Sequence, residues 1–353
     1  MAVVMQHFCA TAQEHCSVVI PSIPPHGYMA VDVFFFLSGF IMAYTHLDDF
    51  KGLKFTNFPR FLRKRAARIV PLNLFVITMI VIMGQISWAV LGRNIIYPAG
   101  NLAVDLVSNA LMLQGLGVGT NLNGPSWSIS TEVVAYVLFP VFATVIGFAR
   151  PRVAGAAVGL CLASLFMLSL STPHLGLDTN TISDNLIRCL TEFGLGVFVH
   201  RVYAQYSWVS GVFGRDIVLM STMAGSVVLL CLRLDLPAAL LFPAIILGLA
   251  SNRGRVAAVM SHGLLHWLGL ISFSLYLIHQ PFRSIDLEIL RSLHPAPVGF
   301  FTALSLAMAG SLLIIPFAYV VHRCVERPGR NAVNALLGKL RPIALKEAPG
   351  SGH

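Results

Sequence analysis

Charge is what this chain has least of: acidic and basic residues make up 11% of its 353 positions, against about a quarter in soluble globular proteins. Together with 56% hydrophobic residues and a mean hydropathy of +0.76, that scarcity excludes an ordinary soluble domain and points to a membrane protein. Cysteine is sparse and scattered. Cys9, Cys16, Cys161, Cys189, Cys231 and Cys324 form no CxxC pair and no Cys/His ligand spacing, so they read as small packing residues and no metal site is expected. A charged start followed by a sufficient apolar run is missing, so no cleavable signal peptide is expected and the spans themselves must direct insertion. Also missing are a repeat of helix-pair period and a linker between folded units. The expectation is one membrane domain over residues 1–330, followed by a disordered cytoplasmic tail over 331–353.

What the chain has in quantity is apolar length. A span needs about 20 mostly apolar residues to cross roughly 30 Å of hydrocarbon. Stretches bounded by charges, Pro or Gly run over 28–46, 69–91, 130–149, 153–172, 186–200, 217–232, 237–251, 264–282 and 298–321. Residues 1–20 begin a further one, but Gln6, His7, Gln13, Glu14 and His15 leave too little apolar length. That segment reads as half a helix, with the expectation that the reading frame continues upstream. The fold class expected is all-α, a polytopic integral membrane bundle of about ten transmembrane helices.

Basic residues orient the bundle, because cytoplasmic connections carry the Lys/Arg excess. Lys51, Lys54, Arg60, Arg63, Lys64, Arg65 and Arg68 place the connection after 28–46 in the cytoplasm. Alternating from there, only Arg93, Arg233, Arg283 and Arg291 fall outside, with Arg188 inside a span and both termini cytoplasmic. The formal charge of +9 then reflects topology and attraction to an anionic inner leaflet, and predicts no nucleic-acid partner.

A charged side chain at mid-span costs about 2.5–3.5 kcal/mol on insertion scales, so polar residues inside spans mark a partner or a task. "GYMAVDVFFFLSGFIMAY" puts Asp32 in the first turns of a helix and Gly39, next to Ser38, on the same face; Asp32 there suits a helix cap or a site. "NGPSWSISTEVVAYVLFP" stacks Ser128, Glu132 and Tyr136 at intervals of four behind an interfacial Trp127. That stripe fits a capping motif or a functional face. "LGLISFSLYLIHQPFR" repeats the pattern with Ser272, Tyr276, His279 and Arg283. Arg188 and Glu192, at i and i+4, are expected to neutralise each other within their span. Arg60, Arg63, Arg65 and Arg68 enter a span from the cytoplasm and fit either a snorkelling anchor or a phosphate-binding pair.

In chain order, "AVVMQHF", "GYMAVDVFFFLSGFIMAY", "FLRKRAARIVPL", "PSWSISTEVVAYVLFP", "LGLISFSLYLIHQP" and "VVHRCVERPGR" resemble the acyltransferase 3 family of bacterial multi-pass membrane O-acyltransferases. The resemblance implies a ten-helix domain in the inner membrane that takes an acyl group, often acetyl, from coenzyme A and delivers it to a sugar hydroxyl. It implies His7 as the leading catalytic residue and Arg65 and Arg68 as donor-binding. The family pattern carries an arginine ahead of the histidine that has no counterpart here, and Ala30 stands where glycine is common.

Histidine is the usual general base near neutral pH, and a carboxylate that orients it is a natural companion, with Glu132 expected ahead of Asp32. The absence of a G-x-S-x-G elbow favours direct attack by the sugar oxygen over a serine acyl-enzyme. Ser38, Trp127, Ser128, Tyr136, Tyr276 and His279 are expected to line the substrate site. No bound cofactor is expected. The partners expected are acetyl-CoA or another acyl-CoA as donor, a glycan or lipid-linked sugar as acceptor, the bilayer and the polysaccharide assembly machinery. A transporter or flippase would share the spans and buried ionisable groups, although no two related halves with broken helices are visible. An inactive form cut short at its start is the other alternative.

Overall fold

A backbone crossing hydrocarbon finds no water to bond, so its N–H and C=O groups must be satisfied within the segment, and the apolar stretches fold as helices. The computed structural model describes residues 1–14, 26–52, 55–98, 100–172, 175–178, 181–293 and 298–339, which are helical with no strand. In order they form α1 (Ala2–Gln13), α2 (Ala30–His46), α3 (Phe58–Leu91), α4 (Leu102–Ala110), α5 (Trp127–Val137), α6 (Phe139–Phe142), α7 (Pro151–Leu170) and α8 (Ile182–Gln205). The second half holds α9 (Ser207–Phe213), α10 (Asp216–Cys231), α11 (Asp235–Ala239), α12 (Phe242–Ser251), α13 (Arg255–Met260), α14 (Gly263–Leu293), α15 (Phe300–Val321) and α16 (Arg327–Lys339).

By length and composition, four described segments are apolar enough to cross a membrane: Gly27–Phe50, Phe58–Leu91, Pro151–Leu170 and Phe300–Leu336. Two bent pairs, Gly124–Val137 with Phe139–Phe148 and Ser207–Phe213 with Asp216–Cys231, raise the number to six. The first pair turns by 55° beside Pro140, whose ring cannot continue the hydrogen-bond ladder. A count of ten would need α1, α8, α12 and α14 as well. These are the helices where apolar character is weakest or length shortest: α8 carries Asp184, Arg188, Glu192 and Arg201, α14 carries His266, His279 and Gln280, and α12 is 10 residues long. The first expected span is described as α1 and Glu14, and the rest of it, with Cys16, lies outside the described residues. Residues 331–339 of the expected tail continue α16, which packs on α3 through Gly329 against Pro71; 340–353 lie outside the described residues.

The apolar interior has two lobes. One gathers α1, α3, α5, α14 and α15, and the other gathers α9, α11 and α12 with the C-terminal part of α7. α2 and α8 serve both, since Phe35 and Phe193 face the first lobe while Phe36 and Leu195 face the second. Their axes approach closely because Gly39 lies on the Phe193 carbonyl and Gly196 on the Phe36 carbonyl, where any Cβ would strike backbone. Small residues at a helix contact allow such an approach inside a membrane. Gly196→Val should therefore force the pair apart and lower thermal stability in detergent by more than the roughly 1–3 kcal/mol of ordinary overpacking. Gly155→Val, at a position open on every side, is the control expected to change little.

The structure corrects the expected Arg188–Glu192 pairing. Arg188 reaches across to α2 instead, donating from Nε to Asp32 Oδ1 at 2.6 Å and from Nη2 to Asp32 Oδ2, while Nη1 donates to the Leu177 carbonyl at 2.8 Å. Two parallel bonds to a planar fork hold the guanidinium better than an i,i+4 neighbour on the same helix can. Asp32 makes no helix-capping bond; it is fully buried in this ion pair, with Glu192 close beside it.

Candidate active site

α1 buries Val3, Val4, Phe8, Cys9, Thr11 and Ala12 against α14 and α15 and leaves His7 half-buried on the face toward α14. On α14, the 3.6-residue period brings Tyr276, His279, Gln280 and Arg283 to that face. The two helices meet at a pair of imidazoles: His7 Nδ1 lies 2.9 Å from His279 Nε2, with ring centroids 5.0 Å apart. His279 is fully buried, and its Nδ1 is 2.6 Å from the Tyr276 carbonyl oxygen. Arg283 secures the C-terminal end of α1, donating from Nε to Thr11 Oγ1 at 2.5 Å and pairing with Glu14 at 3.3 Å.

His7 opens onto a cavity of about 500 Å³ whose walls also carry Arg283, Gln280, Trp127, Asn121 and Arg188. The connection between α4 and α5 folds over this space. It is held by Gly115 N donating to Ser130 Oγ at 3.0 Å, Asn109 Nδ2 donating to the Thr120 carbonyl at 2.7 Å and Asn123 Nδ2 donating to the Leu277 carbonyl at 2.9 Å. Amides, an indole and a guanidinium around one open space can bind a polyhydroxylated molecule, with the apolar ring face on the indole and the hydroxyls on the amides. A second, mostly apolar cavity of about 170 Å³ adjoins it. Both touch Val3, Val31 and Tyr276, and the smaller one reaches Arg68, whose guanidinium lies 5.9 Å from the Phe273 ring centroid.

Ser128, Glu132 and Tyr136 share a helix side but not one set of partners, and no side chain caps the start of α5. Ser128 Oγ and the Tyr276 hydroxyl are 2.7 Å apart, at the boundary of the two cavities. Glu132 is turned elsewhere and fully enclosed, accepting from Ser38 Oγ and from the Tyr136 hydroxyl, each at 2.5 Å. Arg65 lies beside Tyr136, and the charges of Arg65 and Arg68 act on Glu132. The Nε of Arg65 is buried and has no hydrogen-bond partner.

Of the residues expected at the site, the structure therefore joins His7, Tyr276, Ser128 and Trp127 around the cavities, with His279 buried behind His7. It gathers Ser38, Glu132, Tyr136, Arg65 and Arg68 in a neighbouring cluster. Neither Glu132 nor Asp32 is brought to His7, because the first is engaged by Ser38 and Tyr136 and the second by Arg188. The sequence reading missed His279 as the partner of His7, and Gln280 as part of the wall. Among the described residues, no three His, Cys, Asp or Glu side chains converge as a metal site would require.

A family model described as an acyltransferase domain matches residues 1–320. The chain is similar to Acyltransferase MdmB of Streptomyces mycarofaciens, with 26% identity over 365 aligned positions that cover 96% of this chain and 89% of that protein. No solved structure matches.

Proposed function

As the chain belongs to the acyltransferase 3 family and is an acyltransferase of the membrane, we propose that it moves an acyl group, acetyl in the first instance, from coenzyme A to a hydroxyl of a cell-surface or secreted glycan or a lipid-linked sugar. The membrane is the bacterial inner membrane, crossed by about ten helices of a single domain over residues 1–330, with both termini in the cytoplasm. The machinery that assembles the polysaccharide is the natural source of the acceptor.

The observation that carries this reading is His7 in the wall of a cavity suited to a sugar, adjoining a second cavity that ends at Arg68. Arg65 and Arg68 hold the phosphates of coenzyme A on the cytoplasmic side, with Arg68 lining the smaller cavity and Arg65 behind it. Glu132, Ser38 and Tyr136 act on these arginines rather than on His7, and Asp32 acts through Arg188 on the wall of the acceptor cavity. The thioester lies in the apolar passage beside Ser128 and Tyr276, and the sugar lies among Trp127, Asn121 and Gln280.

In the reaction, the sugar hydroxyl oxygen attacks the thioester carbonyl carbon while His7 takes the hydroxyl proton. The negative charge that develops on the carbonyl oxygen lies within reach of the Arg283 and Arg188 side of the cavity. The C–S bond then breaks, and the thiolate of coenzyme A leaves with the proton returned from His7. An O-ester and a free thiol are the products, with no acyl-enzyme between.

The direct assay supplies labelled acetyl-CoA to membranes from cells with and without the gene. Label is expected on the glycan only when the gene is present; equal labelling in both would overturn the proposal. Arg68→Ala should weaken donor binding by about tenfold, the order expected for loss of a charged hydrogen bond, while leaving protein abundance nearly unchanged. Equal loss of binding and of abundance would assign Arg68 to membrane topology instead.

A further inference from the structure

We infer that His279 is a positioning residue that fixes the tautomer of His7, holding the His7 proton on Nδ1 and leaving Nε2 free to accept the sugar's proton. The inference rests on the acyl-transfer role proposed for His7 and adds what prepares it.

The reasoning starts at a backbone carbonyl. The Tyr276 oxygen only accepts hydrogen bonds, and His279 Nδ1 lies 2.6 Å from it, so Nδ1 of His279 carries the hydrogen. In a neutral imidazole the other nitrogen is then an acceptor. That nitrogen, Nε2, faces His7 Nδ1 at 2.9 Å, so His7 must donate from Nδ1. The bare nitrogen of His7 is therefore Nε2, on a ring that lines the large cavity. The direction of each bond in this chain follows from the one before it.

In serine hydrolases a carboxylate performs this orienting task. Here the carboxylates expected for it, Glu132 and Asp32, are bonded to Ser38 with Tyr136 and to Arg188. A buried imidazole anchored on α14 takes their place. The flanking charge agrees with a neutral partner: the charged group nearest the outer end of the pair is the Arg283 guanidinium, engaged by Thr11 and Glu14.

The test uses the full chain, purified in detergent and labelled with ¹⁵N-histidine. The spectrum of a His7→Gln variant identifies the His7 signals among the 12 histidines. In the unaltered protein, His7 is expected to be protonated at Nδ1. His279→Leu should release that preference, so that Nε2–H appears on His7, and should lower kcat by about 10²-fold with little change in KM for the acyl donor. His279→Gln, whose amide oxygen can accept from His7, should keep kcat within about fivefold of the parent. A resting His7 protonated at Nε2, or a His279→Leu variant that keeps both the tautomer and kcat, would overturn the inference. So would an equal loss in the Leu and Gln variants with the His7 tautomer unmoved, since that marks a packing role only. A protein with the expected tautomer but no acyl transfer to any glycan would instead overturn the function proposed for the site while upholding the tautomer.

Discussion

Replacing His7 with alanine is expected to lower acyl transfer by about 10²- to 10⁴-fold, the range that general acid–base catalysis contributes. The loss should appear in kcat. Arg65 and Arg68, proposed to hold the donor, lie on α3, and most of the wall proposed for the acceptor comes from α8, α14 and the connection between α4 and α5, so substrate binding should be little affected. Folding should survive too, because the core-facing residues of α1 are Val3, Val4, Phe8, Cys9 and Ala12, and His7 is only half-buried. Initial rates with labelled acetyl-CoA, corrected for protein amount in the membrane, check the prediction. A His7→Ala protein that is abundant and retains more than about a tenth of parental kcat would remove His7 from the role of base.

The second large effect concerns the buried ion pair between α2 and α8. Arg188→Met should destabilise the protein by about 3–5 kcal/mol, because it leaves the Asp32 carboxylate enclosed with no opposite charge and with Glu192 beside it. Asp32→Asn should cost less. Arg188 then keeps its bond to the Leu177 carbonyl and has Glu192 one turn further along its own helix. Thermal unfolding of the purified variants in detergent, read by the loss of monodisperse protein, would show the order. Equal destabilisation by both substitutions would contradict it, and so would a larger loss in Asp32→Asn. The Gly39 and Gly196 contacts make the pair consequential, since they bring α2 and α8 close enough for the guanidinium to span the gap.

Polar residues that the structure brings near one another were easier to single out in the sequence than to pair. His7, Tyr276, His279, Arg65 and Arg68 stand out as polar groups in or beside apolar stretches, where each has a cost that implies a partner or a task. Periodicity then shows which of them share a helix face. It cannot show which helix lies opposite, and that is where the reading went astray. His7 and His279 are separated by 272 positions, and nothing in either segment names the other. The Arg188 assignment failed for a related reason: an i,i+4 carboxylate is visible in the sequence, whereas Asp32 becomes available only after glycines on two helices allow them to touch. The stripe on α5 is divided for another reason. Ser128 and Glu132 do lie on one side of the helix, but two neighbours, α14 and α2, divide that side between them.

Helix type was legible throughout, because apolar length and the need to satisfy the backbone dictate it. Crossing number was harder to read. α8 and α14 contain charged and imidazole side chains, of which Arg188, Glu192 and His279 are buried, and by length and composition neither helix is among the candidate spans.

A single-turnover reaction tests the central claim most directly: purified protein, one equivalent of coenzyme A thioester labelled in the acyl group, and an excess of sugar acceptor, stopped at intervals and resolved by mass. The account predicts that label moves from the thioester to a base-labile ester on the sugar, in step with the release of free thiol. Label should never rest on the protein, and His7→Ala should slow transfer and thiol release together. Label accumulating on the chain, thiol released without a sugar ester, or an unaltered rate in His7→Ala would contradict it.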